Sequence, residues 1–204
     1  MFLLTAPTPA AVDRFLADRE GDTFSYAEIG ATLGQPPDGY NIDHNRVLIG
    51  EGCETYERAR IAIRQWKMFD MPWTRLLPDD APIEVGTTVA IAVRHFGFYS
   101  LNAARIVYTI DEESEIRKFG FAYGTLTEHG EIGEERFTVE FDLATGEVCY
   151  DLYAFSQPGA LLARIGYPLS RYLQKAFAQE SKVAMLRAVS VDGGAFDPGK
   201  VVVK

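Results

Sequence analysis

At 204 residues the chain is sized for one domain with a sizeable core. Its 47% hydrophobic and 24% charged residues are ordinary globular proportions, which excludes disordered and fibrous classes. Against 29 Asp and Glu stand 20 Lys and Arg, a formal net charge of −9 without a basic cluster, which argues against nucleic acid and anionic membranes as partners.

The segment AAVDRFLADR, residues 10 to 19, predicts a short helix with Val12, Phe15 and Leu16 on one side. TFSYAEIGATLGQPPDGYN follows, rich in Gly and Pro, and predicts a connector with little regular structure. Residues 42 to 49 predict a strand up to Gly50, and CETYERARIAIRQWKMF predicts the helix after it. Tyr56, Ala59, Ile63 and Trp66 recur at three- and four-residue steps, giving that helix an apolar face that Met71-Pro72 ends. The turn IGEGCET has the first two glycines of a GxGxxG fingerprint, but Thr55 takes the third place and no second parallel strand follows. It reads as a strand-to-helix turn.

Five β-rich segments come next: TTVAIAVRHF, YSLNAARIVYTI, SEIRKFGFAYGTL, ERFTVEFD and EVCYDLYAFS. Short turn signals separate them, which predicts an antiparallel meander. From Pro158 an apolar stripe at helical spacing includes Leu162, Ile165, Leu169, Leu173, Phe177 and Met185, with Pro168 predicted to kink it. A sheet with one apolar face needs a cover. The order therefore predicts an α+β fold: a curved antiparallel β-sheet gripping a long C-terminal helix (helix-grip), with a second helix between the first strand and the meander. The expected domain is 40–190, with 1–39 as helix and connector packed on it and 191–204 as a surface tail.

The stretch FGFAYGTLTEHGEIGEERF, residues 119 to 137, is the chemically densest. Side chains alternate faces along a strand, so Phe119, Phe121, Tyr123 and Thr125 share one face, as do Glu135, Phe137 and Val139. The expected register pairs Tyr123 with Phe137 and sets Glu135 opposite Thr125, at the mouth of the grip. A carboxylate there is partly desolvated and its pKa rises unless a cation or amides hold it; Arg94, Arg105 and Arg117 are the neighbouring cations. Glu135 is the candidate general base or polar anchor. His129 with Glu128, Glu131 and Glu134 lacks HxH or HExxH spacing, so a solvated acidic turn is expected, without metal or cofactor. Trp66, Trp73, Tyr123, Phe137 and Tyr153, with Arg105, are the candidate pocket lining.

Cys53 and Cys149 are isolated and read as free thiols in a reducing compartment. The opening MFLLTAPTPAAVDRF has too short an apolar run for a signal peptide, and no apolar run is long enough to span a membrane; a cytoplasmic location is expected.

The GEGCETYERA turn and helix, the Trp66 and Trp73 pair, the 119–137 hairpin and PLSRYLQKAFAQES together resemble the DUF nineteen-ninety family of bacterial and plant domains of unknown function. The resemblance runs from Tyr40 to about Ala188. That family is similar to the helix-grip superfamily of START, Bet v 1 and polyketide-cyclase domains, which implies a cavity for apolar molecules between sheet and helix and carries over no catalytic residue. The reading is binding of a small apolar or amphipathic molecule in that cavity. An enzyme of cyclase, dehydratase or hydrolase type with Glu135 as base, and a structural or protein-interaction module, stay open as alternatives.

Overall fold

The computed structural model describes residues 1–127, 129–159 and 166–190. Its elements in chain order are β1 (Phe2–Leu3), α1 (Pro9–Ala17), β2 (Asn41–Glu51), α2 (Gly52–Arg64), β3 (Thr74–Leu77), β4 (Thr88–Arg94), β5 (Tyr99–Glu112), β6 (Ile116–Thr125), β7 (Glu131–Asp142), β8 (Glu147–Pro158) and α3 (Tyr167–Val189). Short 3-10 turns lie at Ala31–Leu33 and Lys67–Phe69.

The strands form one curved antiparallel sheet in the order β2-β8-β7-β6-β5-β4-β3, with β1 alongside the start of β5. Strands β4 to β8 are the expected meander. Two strands escaped the sequence reading, β1 and β3, because two and four residues are too few to show an alternation. The fold is α+β, a sheet gripping its C-terminal helix.

Both faces of the sheet are buried. On the inner face lie α2, α3 and the 3-10 turn before β3. There Trp66 stands 4.7 Å from Phe121 and Phe121 stacks on Phe137 at 5.3 Å between ring centres. Tyr56, Ala59, Ile63 and Trp66 all face this core, as their spacing predicted. Helix α2 ends before Met71-Pro72, because Trp66 turns left-handed (φ 54°) and its indole N–H donates to the Ala81 carbonyl at 2.8 Å. At the other end of α2, Gly50 sits at φ 146° and a Cβ there would lie 2.9 Å from Thr55 Cγ2, so the glycines serve the strand-to-helix turn.

On the outer face α1 lays Val12 and Phe15 on Ala90, Ala92, Leu101, Ala103 and Leu126. Thr8 starts this helix by accepting from the Ala11 N–H, with Pro9 in the first position. Arg105 also points outward and donates to the carbonyls of Arg19, Glu20 and Asp22 beyond the helix C-terminus. Helix α3 begins at Tyr167, so Pro168 occupies its first turn and kinks nothing. The expected stripe positions Leu162 and Ile165 and the tail 191–204 lie outside the described residues.

The connector after α1 is fastened by one residue. Glu134 is buried on the outer face and accepts from the Tyr26 hydroxyl (2.7 Å), the Gly30 N–H (2.7 Å), the Thr32 N–H (3.0 Å) and the Thr32 hydroxyl. Tyr26 lies so close to the sheet that a Cβ on Gly124 would meet its hydroxyl at 2.1 Å. Burial, then Glu134, raises the Tyr26 pKa, so the phenol remains the donor. Removing the acceptor leaves buried donors unpaired. Glu134→Ala is therefore expected to cost roughly 3 kcal/mol in urea unfolding and to abolish slow hydrogen exchange at the Gly30 and Thr32 amides. Retained protection at both amides would show that apolar packing alone holds the connector.

Candidate functional site

The β6–β7 register differs from the expected one by two residues. Tyr123 pairs with Glu135, Phe121 with Phe137 and Phe119 with Val139. A shift of two preserves which side chains share a face, so Glu135 still faces inward with Phe137. What changes is its neighbour: the Tyr123 hydroxyl, not Thr125, donates to Glu135 Oε2 at 2.6 Å.

The same parity brings further polar groups to this end of the inner face. Glu131 lies four residues before Glu135 on β7. Ser156 on β8 and Asp43 on β2 face the same way, set by the pairs Gly133 with Ser156 and Asp43 with Ala154. Helix α3 answers them from above. Arg171 makes a two-pronged ion pair with Asp43 at 2.5 and 2.8 Å, and Gln174 donates to Ser156 Oγ at 2.9 Å and to Glu131.

The aromatic wall continues inward. Phe177 of α3 is 5.2 Å from Phe69 and 6.5 Å from Phe137, and Tyr123 is 5.3 Å from Phe137. Burial grades along α3: Arg171, Gln174 and Phe177 are half-buried, whereas Ala178, Ser181, Ala184, Met185 and Val189 are buried. The second half of the helix is closed on the sheet by Met185, Val189 and the Ser181–Tyr150 hydroxyl pair at 2.8 Å. The described residues of the first half are less closely packed on the sheet.

Electrostatics single out Glu135. Burial pushes its carboxyl up to about 7; the Tyr123 hydrogen bond acts in the opposite direction, and the charges of Glu131 and Asp43 raise it further. Its second oxygen has no hydrogen-bond partner among the described residues. Burial, then Glu135, holds the Tyr123 phenol well above its ordinary range, so Tyr123 donates throughout the physiological interval.

The remaining sequence candidates fall in different places. Trp66 and Phe137 are buried core residues of the inner face. Trp73 is half-buried and its indole N–H donates to Glu180 on α3 at 3.0 Å. Arg105 and Tyr153 are on the outer face, away from the group; Tyr153 lies between His44 and Arg136, with centres 5.4 and 5.2 Å away. Sequence position put Arg105 in a neighbouring strand, but only its facing decides whether it reaches the mouth.

The hairpin turn is less wet than expected. His129 is half-buried, accepts the Glu131 N–H at Nδ1 (3.0 Å), and burial lowers its pKa to about 4. Glu134 is buried on the outer face, Glu131 bonds α3, and Glu128 lies outside the described residues. Among the described residues, no three His, Cys, Asp or Glu side chains gather as a metal site. Glu131 was expected in a solvated turn and instead bonds Gln174, and Asp43, Ser156, Arg171 and Gln174 were not picked out from the sequence. Parity from Glu135 gives Glu131, but the α3 partners depend on helix rotation, which no local pattern fixes.

Fold and site together define a helix-grip protein with a tyrosine–carboxyl pair at its mouth. The chain belongs to the family described as Domain of unknown function (DUF1990), which matches residues 25–184. A UPF0548 protein of Dictyostelium discoideum is 35% identical over 207 residues, covering 93% of this chain and 96% of that one. Among solved structures, a hypothetical protein from Helicobacter pylori has a TM-score of 0.49 at 12% identity, covering 82% of this chain and 94% of that one. Human STARD10 has a TM-score of 0.44 at 10% identity, covering 90% and 81%. Among the described residues no helix is long and apolar enough to cross a membrane.

The Glu135 carboxyl has a stability signature. Its folded pKa lies above the unfolded value of 4.5, so its contribution is fully present below pH 4.5 and is lost as pH rises through 7. Urea midpoints of the wild type are expected to fall across that window relative to Glu135→Gln, whose side chain still accepts from Tyr123. Parallel curves for the two proteins would place the Glu135 carboxyl in open solvent.

Proposed function

We propose that the protein binds a small amphipathic molecule at the mouth between the sheet and the first half of α3. The apolar body lies against the half-buried Phe177, at the edge of the buried Phe69 and Phe137, and the polar group meets Glu135, which Tyr123 orients. The observation that carries this reading is the hydrogen-bonded Tyr123–Glu135 pair, which ends an aromatic wall and keeps one carboxyl oxygen unpartnered. Mostly apolar sites with a few fixed polar groups are how proteins orient small ligands. Near neutrality Glu135 exists in both protonation states, so it can give a hydrogen bond to a carbonyl or receive one from a hydroxyl or amine.

A second reading is favoured by the same carboxyl. A side chain that titrates near 7, hydrogen-bonded to a tyrosine, is suited to general acid–base chemistry. In that case Glu135 moves the proton and Tyr123 orients it. The formal charge of −9 supports a partner that is neither nucleic acid nor an anionic surface. The two free thiols, Cys53 exposed and Cys149 buried, support a cytoplasmic, reducing location.

Native mass spectrometry of protein purified from its own host tests the binding reading. A retained small molecule is expected on the wild type and is expected to be lost from Phe177→Asp, with the urea midpoint of the variant checked against the wild type. Wild-type protein that carries nothing and gives no saturable binding with a panel of aromatic amphiphiles would overturn it. If the retained molecule is turned over, the rate should follow a group of pKa about 7, and Glu135→Gln should slow it about a hundredfold.

A further inference from the structure

A second concavity lies away from the mouth, in the cleft between α2 and the C-terminal half of α3. Its volume is about 350 Å³. Ile61, Ala62, Ala184 and Ala188 make its apolar floor, and Arg58, Lys67 and Arg187 stand around it with Asp70. Arg58 also lies 3.9 Å from Glu54, so three cations stand against two acids, a local excess of about one positive charge in a chain whose formal net charge is −9.

Some of this charge has a structural task. Both helices bring their C-terminal ends here, each equivalent to about −0.5 charge. Arg58 serves that end: its Nε donates to the Val189 carbonyl at 2.8 Å and its Nη2 to Thr55 Oγ1 at 2.9 Å. Arg58 is thus matched by Glu54 and by the C-terminal carbonyl of α3, which leaves Lys67 and Arg187 with Asp70 at the rim. Lys67 and Arg187 have no hydrogen bond or ion pair with another described side chain. On the floor Ile61 leaves half of its area exposed beside the buried Ala62 and Ala184. Apolar surface rimmed by two cations that no described side chain pairs matches one kind of solute.

We infer that this cleft is a second ligand site, for a small molecule that joins an anionic oxygen headgroup to an apolar body. Lys67 and Arg187 hold the headgroup, the fixed guanidinium of Arg58 adds charge from below, and the apolar part covers Ile61 and the alanines. Asp70, at the rim, disfavours solutes with a second anionic group on that side. The volume is in the range that takes small ligands, which is about 300–1,000 Å³. A carboxylate and a phosphate monoester share the chemistry that this cleft recognises.

Titrations of the full chain with octanoate, octyl phosphate, octylamine and octanol separate the possibilities. One or both anions should bind roughly tenfold tighter than octylamine or octanol, and which of them does so identifies the headgroup. Backbone amide signals of Ala62, Gln65, Ala184 and Ala188 should move on binding. Lys67→Glu/Arg187→Glu should lose at least tenfold for the anion and gain for octylamine; Ile61→Glu, at a half-exposed position, should weaken the anion with the cations intact. Urea midpoints of these surface variants are checked against the wild type. Equal binding of octylamine, a change under twofold in both variants, or shifts confined to β7 and the first half of α3 would overturn the inference. The last outcome would put the anion at the mouth and leave the reading of that site standing.

Discussion

Two consecutive carboxylates on one strand must face opposite ways, and much of this molecule follows from where β7 sends them. Glu134 points outward and Glu135 inward. Outside, the Tyr26 and Thr32 hydroxyls and two backbone N–H groups surround the first carboxylate. Inside, the second has one donor, Tyr123, and two acidic neighbours, Glu131 and Asp43. One residue type on adjacent positions thus serves as a structural clamp outside and, inside, as a carboxyl whose pKa burial raises.

The clamp is needed because the sheet buries both faces. Helices α2 and α3 account for the inner side, but the outer side of β4 and β5 carries Ala90, Ala92, Leu101 and Ala103, which α1 covers. Gly124 on β6 leaves room for Tyr26, and the connector then closes over Glu134. The N-terminal segment is therefore part of the wall of the grip. Arg105 has a related task on this side, gathering the carbonyls of Arg19, Glu20 and Asp22 and tying the end of α1 to β5.

The meander was legible because five long strands alternate and are separated by Gly-rich and acidic turns, so periodicity and punctuation agree. Which face Glu135 takes was legible for the same reason: parity survives a register slip of two. The register itself was not, since the turn at 126–130 can close at more than one length. Arg105 and Tyr153 show the limit of choosing pocket residues by type. Both are long or aromatic and both occupy neighbouring strands, yet each falls on the outward parity. The partners from α3 were hidden more deeply, because Arg171 and Gln174 meet Asp43, Glu131 and Ser156 only through tertiary packing.

The grip presents opposite charge at its two ends. Asp43, Glu131 and Glu135 collect at the mouth with Arg171, whereas Arg58, Lys67 and Arg187 collect at the cleft with Asp70. From Gln174 to Ala188 along α3 is fourteen residues, or about 21 Å of helix. A small ligand cannot touch both ends, and at physiological salt their charges are screened from each other over about 8 Å. Between them α3 is tied down by Ser181 on Tyr150 and by the buried Met185. The proposed mouth and the cleft therefore lie toward opposite ends of one helix, with its tied-down middle between them.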